Sequence, residues 1–217
     1  MKVSTDFFYR ALVKRYPLDA GVSILDYGCG PGLLVESLVK SNVTITAADI
    51  NEHFIAGNKE AFPGIEFIRI SEDPTTTVEV LTEKFKGRSF DMVVLLSIVQ
   101  YFKSKEEVEE VVVFLSRYLK PGGRLIVADV LDENTSSARD AMGVFFQCVR
   151  RGRIFAFVRF ILYLLFSDYR KVSKENSLLL LSSEMMTQMA RRHSLAIVGE
   201  KGMTPHPTRS NYILTKP

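Results

Sequence analysis

Five short apolar runs limit how this chain can fold: "VSILDYG" (22–28), "VTITAADI" (43–50), "IEFIRI" (65–70), "FDMVVLLS" (90–97) and "GRLIVADV" (123–130). They are rich in β-branched residues and largely unbroken by polar ones, the pattern of strands covered on both faces. Between them lie helix-like stretches: "LLVESLVKS" (33–41), the region from His53 to Ala61, "TVEVLTEKFK" (77–86) and "SKEEVEEVVVFLSRYLK" (104–120). Ser104 and Glu107 have capping-box spacing, and Pro121-Gly122-Gly123 would stop that helix. Ahead of the first run, Ser4 or Thr5 can cap a helix carrying Phe7, Phe8, Ala11 and Leu12 and ended by Pro17. Alternating strands and helices predict a mostly parallel sheet clothed on both faces, a doubly wound α/β fold. Towards the end, 134–181 reads as helical or irregular and 182–193 as a helix. "LAIVGEK" (195–201) and "SNYILTK" (210–216) read as strands that can pair antiparallel at a sheet edge.

With 217 residues, 47% hydrophobic and 24% charged, the chain suits one globular domain over 1–217, with 134–181 as a helical insertion. Its two cysteines, Cys29 and Cys148, show no pairing framework. The amino terminus is amphipathic and lacks the continuous apolar core of a signal peptide, so the expectation is a cytoplasmic protein.

The strongest local signal is "ILDYGCGPG" (24–32), a strand, a glycine-rich turn and the start of a helix. Glycines 28, 30 and 32 allow the backbone to approach a ligand, with helix amides just beyond. A dinucleotide fingerprint would need glycine where Leu33 stands, and Asp26 places a carboxylate where a pyrophosphate would be repelled. Asp49 ends the second run, 21 residues after Gly28, where it can accept hydrogen bonds from ribose hydroxyls. The pattern suits a nucleoside without phosphates.

With these residues in view, the chain resembles the class I S-adenosylmethionine-dependent methyltransferases. "ILDYGCGPG" resembles that family's first motif, "AADI" its acidic ribose site, "FIRISED" its adenine-lining segment, "GRSFDMVVLLSIVQYF" its fourth strand and "LKPGGRLIVADV" its fifth. "LSSEMMTQMARRHSLAIVGE" resembles the last helix and sixth strand, although Arg192-His193-Ser194-Leu195 replaces the usual turn. The resemblance implies a Rossmann-like seven-stranded sheet, mostly parallel with an antiparallel last strand, and S-adenosylmethionine as cofactor. It also implies a helical insertion after the fifth strand. Carried over, Asp26, Gly28, Cys29 and Gly30 would surround the methionine moiety. Asp49 would hold the ribose, with Ile50 beside adenine. Ser71, Glu72 and Asp73 would lie near the adenine amine, or form an ordinary loop. Leu96, Ser97 and Ile98 would face the methyl donor, and Tyr9 on the first helix would close over it. Cys29 reads equally as a small residue tolerated beside glycine.

Methyl transfer from a sulfonium is an in-line displacement, so alignment and exclusion of water matter most. The family's base-modifying, arginine-modifying and metal-dependent branches carry motifs after the fourth strand that Ser97-Ile98-Val99-Gln100 does not match, so no metal is expected. A small-molecule or lipid-like acceptor remains, methylated at oxygen. Candidate catalytic groups are His206, Tyr101 and Asp129, with Gln100 as a further orienter. A neutral imidazole at His206 could take a hydroxyl proton; alternatively it is an exposed turn histidine between prolines. Asp129 reads equally as a structural loop carboxylate. His53 belongs to the helix after the second strand, and His193 to a helix end.

The segment "RRGRIFAFVRFILYLLFSDYRK" (150–171) is both apolar and basic. Residues 150–174 hold seven Lys or Arg against one Asp, which leaves the rest of the chain net negative despite an overall +3. Its apolar core, Ile154–Phe166, is interrupted by Arg159 and falls short of the roughly twenty residues that span a bilayer. Helical spacing aligns Gly152, Ala156, Arg159, Tyr163, Ser167 and Arg170 in a small-or-polar stripe opposite an apolar face. That face could form an acceptor-side lid or core, make peripheral membrane contact, or form a dimer contact, so monomer and homodimer both stay open. Each points to an apolar or anionic acceptor. Two rival functions stand beside the enzyme: a non-catalytic S-adenosylmethionine-binding scaffold, and a nucleic-acid methyltransferase using the basic segment. Without an aromatic-interleaved basic strand, no nucleic-acid partner is expected.

Overall fold

The structure, a computed structural model, describes residues 2–132, 134–150, 152 and 178–217. Its order is α1 (Lys2–Arg15), β1 (Ser23–Tyr27), α2 (Leu33–Leu38), β2 (Thr44–Asp49), α3 (Glu52–Ala61), β3 (Glu66–Arg69), α4 (Pro74–Lys84) and β4 (Phe90–Leu96). There follow α5 (Lys105–Ser116), β5 (Leu119–Val130), α6 (Ser137–Arg150), α7 (Ser183–Arg192), β6 (Ala196–Gly199) and β7 (Ser210–Thr215). Short 3-10 turns follow α2 at Val39–Ser41 and β4 at Val99–Tyr101.

The strands form one sheet in the order β3-β2-β1-β4-β5-β7-β6. The first five are parallel, and β7 runs antiparallel between β5 and β6. Successive strand residues pack on opposite faces, as the pleat requires. Ile24, Met92, Val94 and Ile126 meet α1, α2 and α3 through Phe8, Leu12, Val35 and Ile55. Leu25, Val93, Leu95 and Val127 meet α4, α5 and α7 through Leu81, Val112, Leu115 and Met189. Helices on both faces explain why the strand runs are apolar throughout. Burying a side chain such as Leu12 contributes about 1.5–3 kcal/mol.

Two boundaries differ from the sequence reading. The first helix begins at Lys2, so neither Ser4 nor Thr5 caps it. Thr5 is buried inside it, and Lys2 anchors the end by pairing with Glu36 at 2.8 Å. The fifth strand starts at Leu119, so Pro121-Gly122-Gly123 lies within β5 rather than between helix and strand. The ladder with β4 slips between Phe90 and Met92, and a β-bulge absorbs residues that also end helices. The remaining expected elements fall within a few residues of their sequence positions.

Of 150–171, only Arg150 and Gly152 are described, so the stripe and the proposed lid lie outside the described residues. The start of the insertion after β5 is the helix α6. No described helix is long and apolar enough to cross a membrane.

Candidate active site

Strand order reverses between β1 and β4, so the loops leaving these strands open a crevice at the carboxyl edge. Gly28 has φ +80°, and a β-carbon there would stand 2.7 Å from Ile98 Cγ2 in the loop after β4. The two loops therefore interlock. Gly28→Ala is expected to lose roughly 1–3 kcal/mol in chemical denaturation. Gly30→Ala, with nothing within 4 Å, should lose less; equal losses would count against the Ile98 contact.

Asp49 fixes this loop from β2. Its Oδ2 accepts the Gly30 N–H at 2.7 Å and its Oδ1 the Asn51 N–H at 2.8 Å. Each oxygen keeps a further lone pair. Asn58 on α3 closes the turn from behind, donating to the Gly30 carbonyl at 2.9 Å. Cys29 is buried, and burial, followed by the charges of Asp26 and Asp49, pushes its thiol far up, so it stays protonated and inert.

Asp26 lies under the loop with its Oδ2 buried and without a hydrogen-bond partner. Burial first, then the neighbouring Asp49 charge, pushes its carboxyl up to about 7. Between pH 3.8, where an ordinary aspartate ionises, and about 7, the folded state thus holds a proton that the unfolded chain has released. The stability from this group is present at acid pH and is lost as pH rises through about 7. In urea titrations, the native chain should weaken between about pH 4 and 7, and level off above that, relative to its own Asp26→Asn variant. Parallel pH dependences would show that Asp26 is not the buried acid.

On the far side of the loop, Ile50 is exposed and borders an open cleft of about 470 Å³ with Arg69, Ser71, Glu72, Thr76 and Val80. Ser71 and Glu72 therefore face a cleft. Asp73 is committed to α4, accepting the Thr76 N–H and hydroxyl at 2.7 Å each. The expectation for Tyr9 is not met. Its hydroxyl meets Ser41 Oγ at 2.8 Å, beyond the end of α2 and near the amino end of β2, away from Asp49.

A second cluster gathers where β4 and β5 end. Ser97 (φ +59°) and Asp129 (φ +67°) both adopt left-handed backbone, a rare state in non-glycine residues that concentrates at functional sites. The β5–β7 ladder shifts register between Val127 and Val130, which aims Asp129 out of the strand. Its Oδ1 meets His206 Nδ1 at 2.6 Å, and its Oδ2 accepts from Ser97 Oγ at 2.6 Å and Arg209 Nη1 at 2.7 Å. Burial opposes ionisation of Asp129, yet the His206 hydrogen bond and charge, with Arg209 and Ser97, outweigh it and hold the carboxyl below its ordinary range.

His206 is not the exposed turn residue weighed as the alternative, since only 13% of its side chain is accessible. Tyr101, 67% exposed on its 3-10 turn, is not enclosed with it. Leu96 is half-buried and packs on the α1–α3 side, while Gln100 donates to the Ser97 carbonyl at 2.8 Å and keeps a buried Oε1 without a partner. His53 lies in the first turn of α3, and His193 ends α7, meeting Glu109 at 2.7 Å. Arg209 and Asp140 escaped the sequence reading. Asp140 on α6 accepts Arg209 Nε at 3.0 Å and Thr208 Oγ1 at 2.7 Å. Among the described residues, no three His, Cys, Asp or Glu side chains form a group able to hold a metal ion.

A doubly wound sheet with an interlocked glycine loop, an acid ending β2 and a polar cluster across the crevice defines a Rossmann-like, nucleoside-site α/β protein. A family profile described as a methyltransferase domain matches residues 25–127. Over that stretch, just under half of its length, the chain is similar to methyltransferase domains. It is 34% identical over 119 residues to a ubiquinone biosynthesis O-methyltransferase of Caulobacter sp. (strain K31), covering 52% of this chain and 42% of that protein. A protein of the same description from Sinorhizobium medicae (strain WSM419) is 30% identical over 125 residues, covering 58% and 47% respectively. The chain thus matches less than half the length of these relatives. Magnesium protoporphyrin IX methyltransferase from Synechocystis PCC 6803, solved with bound S-adenosylmethionine, aligns with TM-score 0.61 at 14% identity, covering 98% of this chain and 78% of that one. An amino pentose methyltransferase from Micromonospora echinaspora aligns with TM-score 0.62 at 13% identity, covering 98% and 90%. At such identities the likeness shows the fold alone.

Proposed function

We propose that the protein is a methyltransferase that uses S-adenosylmethionine to methylate a hydroxyl of a small-molecule acceptor. The observation that carries this reading is the enclosed His206–Asp129 pair, 2.6 Å apart, across the crevice from the glycine loop. When bound, S-adenosylmethionine supplies an electrophilic methyl group on a sulfonium.

The residues present fit that cofactor. Asp26 offers a buried, unpartnered carboxylate oxygen, which a cationic ammonium would satisfy and help to ionise. The space beside Gly30 is open, and Asp49 keeps lone pairs for ribose hydroxyls while it pins the loop. Ile50 and the cleft along Ser71 and Glu72 offer an apolar wall and polar rim for adenine. Leu96, Ser97 and Ile98 end the strand beside the loop, where they can bound the reacting centre.

With Nδ1 held by the Asp129 carboxylate, the His206 ring takes the tautomer whose Nε2 lone pair can accept a proton. Its role is to accept the acceptor's hydroxyl proton as the oxygen is alkylated. Asp129 fixes the ring's orientation and stabilises the imidazolium that results. Tyr101, at the rim, could contact only the outer part of an acceptor.

The basic and apolar sequence of 150–171 supports an acceptor that is apolar, anionic or both, and a cytoplasmic enzyme able to touch a membrane surface. The relatives' description as O-methyltransferases of ubiquinone biosynthesis agrees with an oxygen nucleophile on such a compound. The test is transfer of labelled methyl from S-adenosylmethionine to apolar phenols and to polar sugars, with products identified by mass spectrometry. O-methylated phenol supports the reading. Methylated sugar alone overturns the acceptor class, and cofactor binding without any product favours the scaffold.

A further inference from the structure

Arg209 lies between two carboxylates. Its Nη1 meets Asp129 Oδ2 at 2.7 Å and its Nε meets Asp140 Oδ2 at 3.0 Å, with the side chain only 23% exposed. Asp140 is itself buried, and its other oxygen accepts the Thr208 N–H at 3.1 Å and the Thr208 hydroxyl at 2.7 Å. A fourth hydrogen bond, from Ser136 N–H to Thr208 Oγ1 at 2.9 Å, ties the start of α6 to the same loop. Further along α6, a β-carbon at Gly143 would collide with the Pro205 carbonyl oxygen, so helix and loop are in direct contact on either side of His206.

We infer that Arg209, seated by Asp140 of α6, is a positioning residue that sets the charge of the His206–Asp129 pair. The inference rests on His206 acting as the base of the proposed methyl transfer. A carboxylate left alone beside an imidazole favours the imidazolium, which cannot accept a proton. Arg209 occupies the second oxygen of Asp129, shares its negative charge and repels a proton on the ring. It also commits Oδ1 to the ring nitrogen, which fixes the tautomer. Among the described residues, the charged groups around the ring are Asp129 from β5, Arg209 from its own loop and Asp140 from α6. Asp132, just past β5, is turned aside to Ser210 at 2.8 Å. Arg209 is the cation in this set, and Asp140 is the group that moderates it.

Opposite signs follow for the two neighbours of the pair. Removing the cation should make the ring easier to protonate, while removing Asp140 leaves Arg209 undivided and should make it harder. Because the chain has three histidines, NMR with labelled imidazole can follow each ring through pH in the full-length protein, without cofactor or turnover. The His206 midpoint in Arg209→Gln should rise by about one pH unit or more above native. It should fall in Asp140→Asn and stay close to native in Arg209→Lys. The acid limb of the methyl-transfer rate should follow the ring in each variant. A loss of packing alone would not move the two neutralising variants in opposite directions. If Arg209→Gln does not fold, the fall in Asp140→Asn and the unchanged Arg209→Lys carry the test. A His206 midpoint unmoved in Arg209→Gln, or moved the same way in Arg209→Gln and Asp140→Asn, overturns the inference whatever the turnover. A native chain that transfers no methyl group overturns the reading beneath it instead.

Discussion

Replacing His206 by glutamine is expected to lower kcat for the accepted hydroxyl by at least about a hundredfold, since a positioned general base contributes roughly 10²–10⁴-fold. Affinity for S-adenosylhomocysteine should stay native, because His206 bonds Asp129 and takes no part in the hydrogen bonds of the glycine loop. Glutamine can still donate to Asp129, so the variant keeps a partner for that buried carboxylate and should fold. Steady-state kinetics and calorimetric titration separate the two quantities. A native kcat in this variant would remove His206 from the chemistry and leave Asp129 as a structural tie.

Asp49→Ala is expected to show the reverse selectivity, a loss of cofactor binding of about a hundredfold or more. Two backbone donors, Gly30 N–H and Asn51 N–H, lose their carboxylate, and a bound ribose would lose the same group. A hydrogen bond to a charged group contributes about 1.5–3 kcal/mol, and each 1.4 kcal/mol is tenfold in affinity. Calorimetry with S-adenosylhomocysteine reads this directly. Near-native affinity would mean that ribose is held elsewhere, and the cleft beside Ser71 and Glu72 would become the site to probe.

The glycine-loop side of the crevice was legible in the sequence because it is local. Glycine loop, β2 acid and strand ends follow one another within single β-α units, so spacing along the chain is spacing in the fold. The apolar runs were equally readable, since strands buried on both faces leave nothing to alternate. The breaker Pro121-Gly122-Gly123 misled because a bulge tolerates the residues that end a helix. Tyr9 misled because a helix's contacts are set by its docking, which brings this ring to Ser41. The His206–Asp129 side was legible only in part. His206 and Asp129 could be named as candidates, but 77 residues separate them, and their pairing is a product of the fold. Arg209 and Asp140, 69 residues apart, left no periodic or spaced signal at all.

The reversed direction of β7 carries a consequence of its own. In a run of parallel strands, only the connections that leave a strand emerge at the carboxyl edge, whereas those entering one gather at the opposite rim. An antiparallel strand enters from the carboxyl side, so the stretch from Lys201 to Arg209 arrives at the crevice mouth through its leading end. That connection supplies His206 and Arg209 without belonging to any β-α unit that builds the cofactor half. Under the proposed function, donor and acceptor would be served by loops of opposite polarity, so the acceptor's loop could diverge in length or composition while the donor's stays intact.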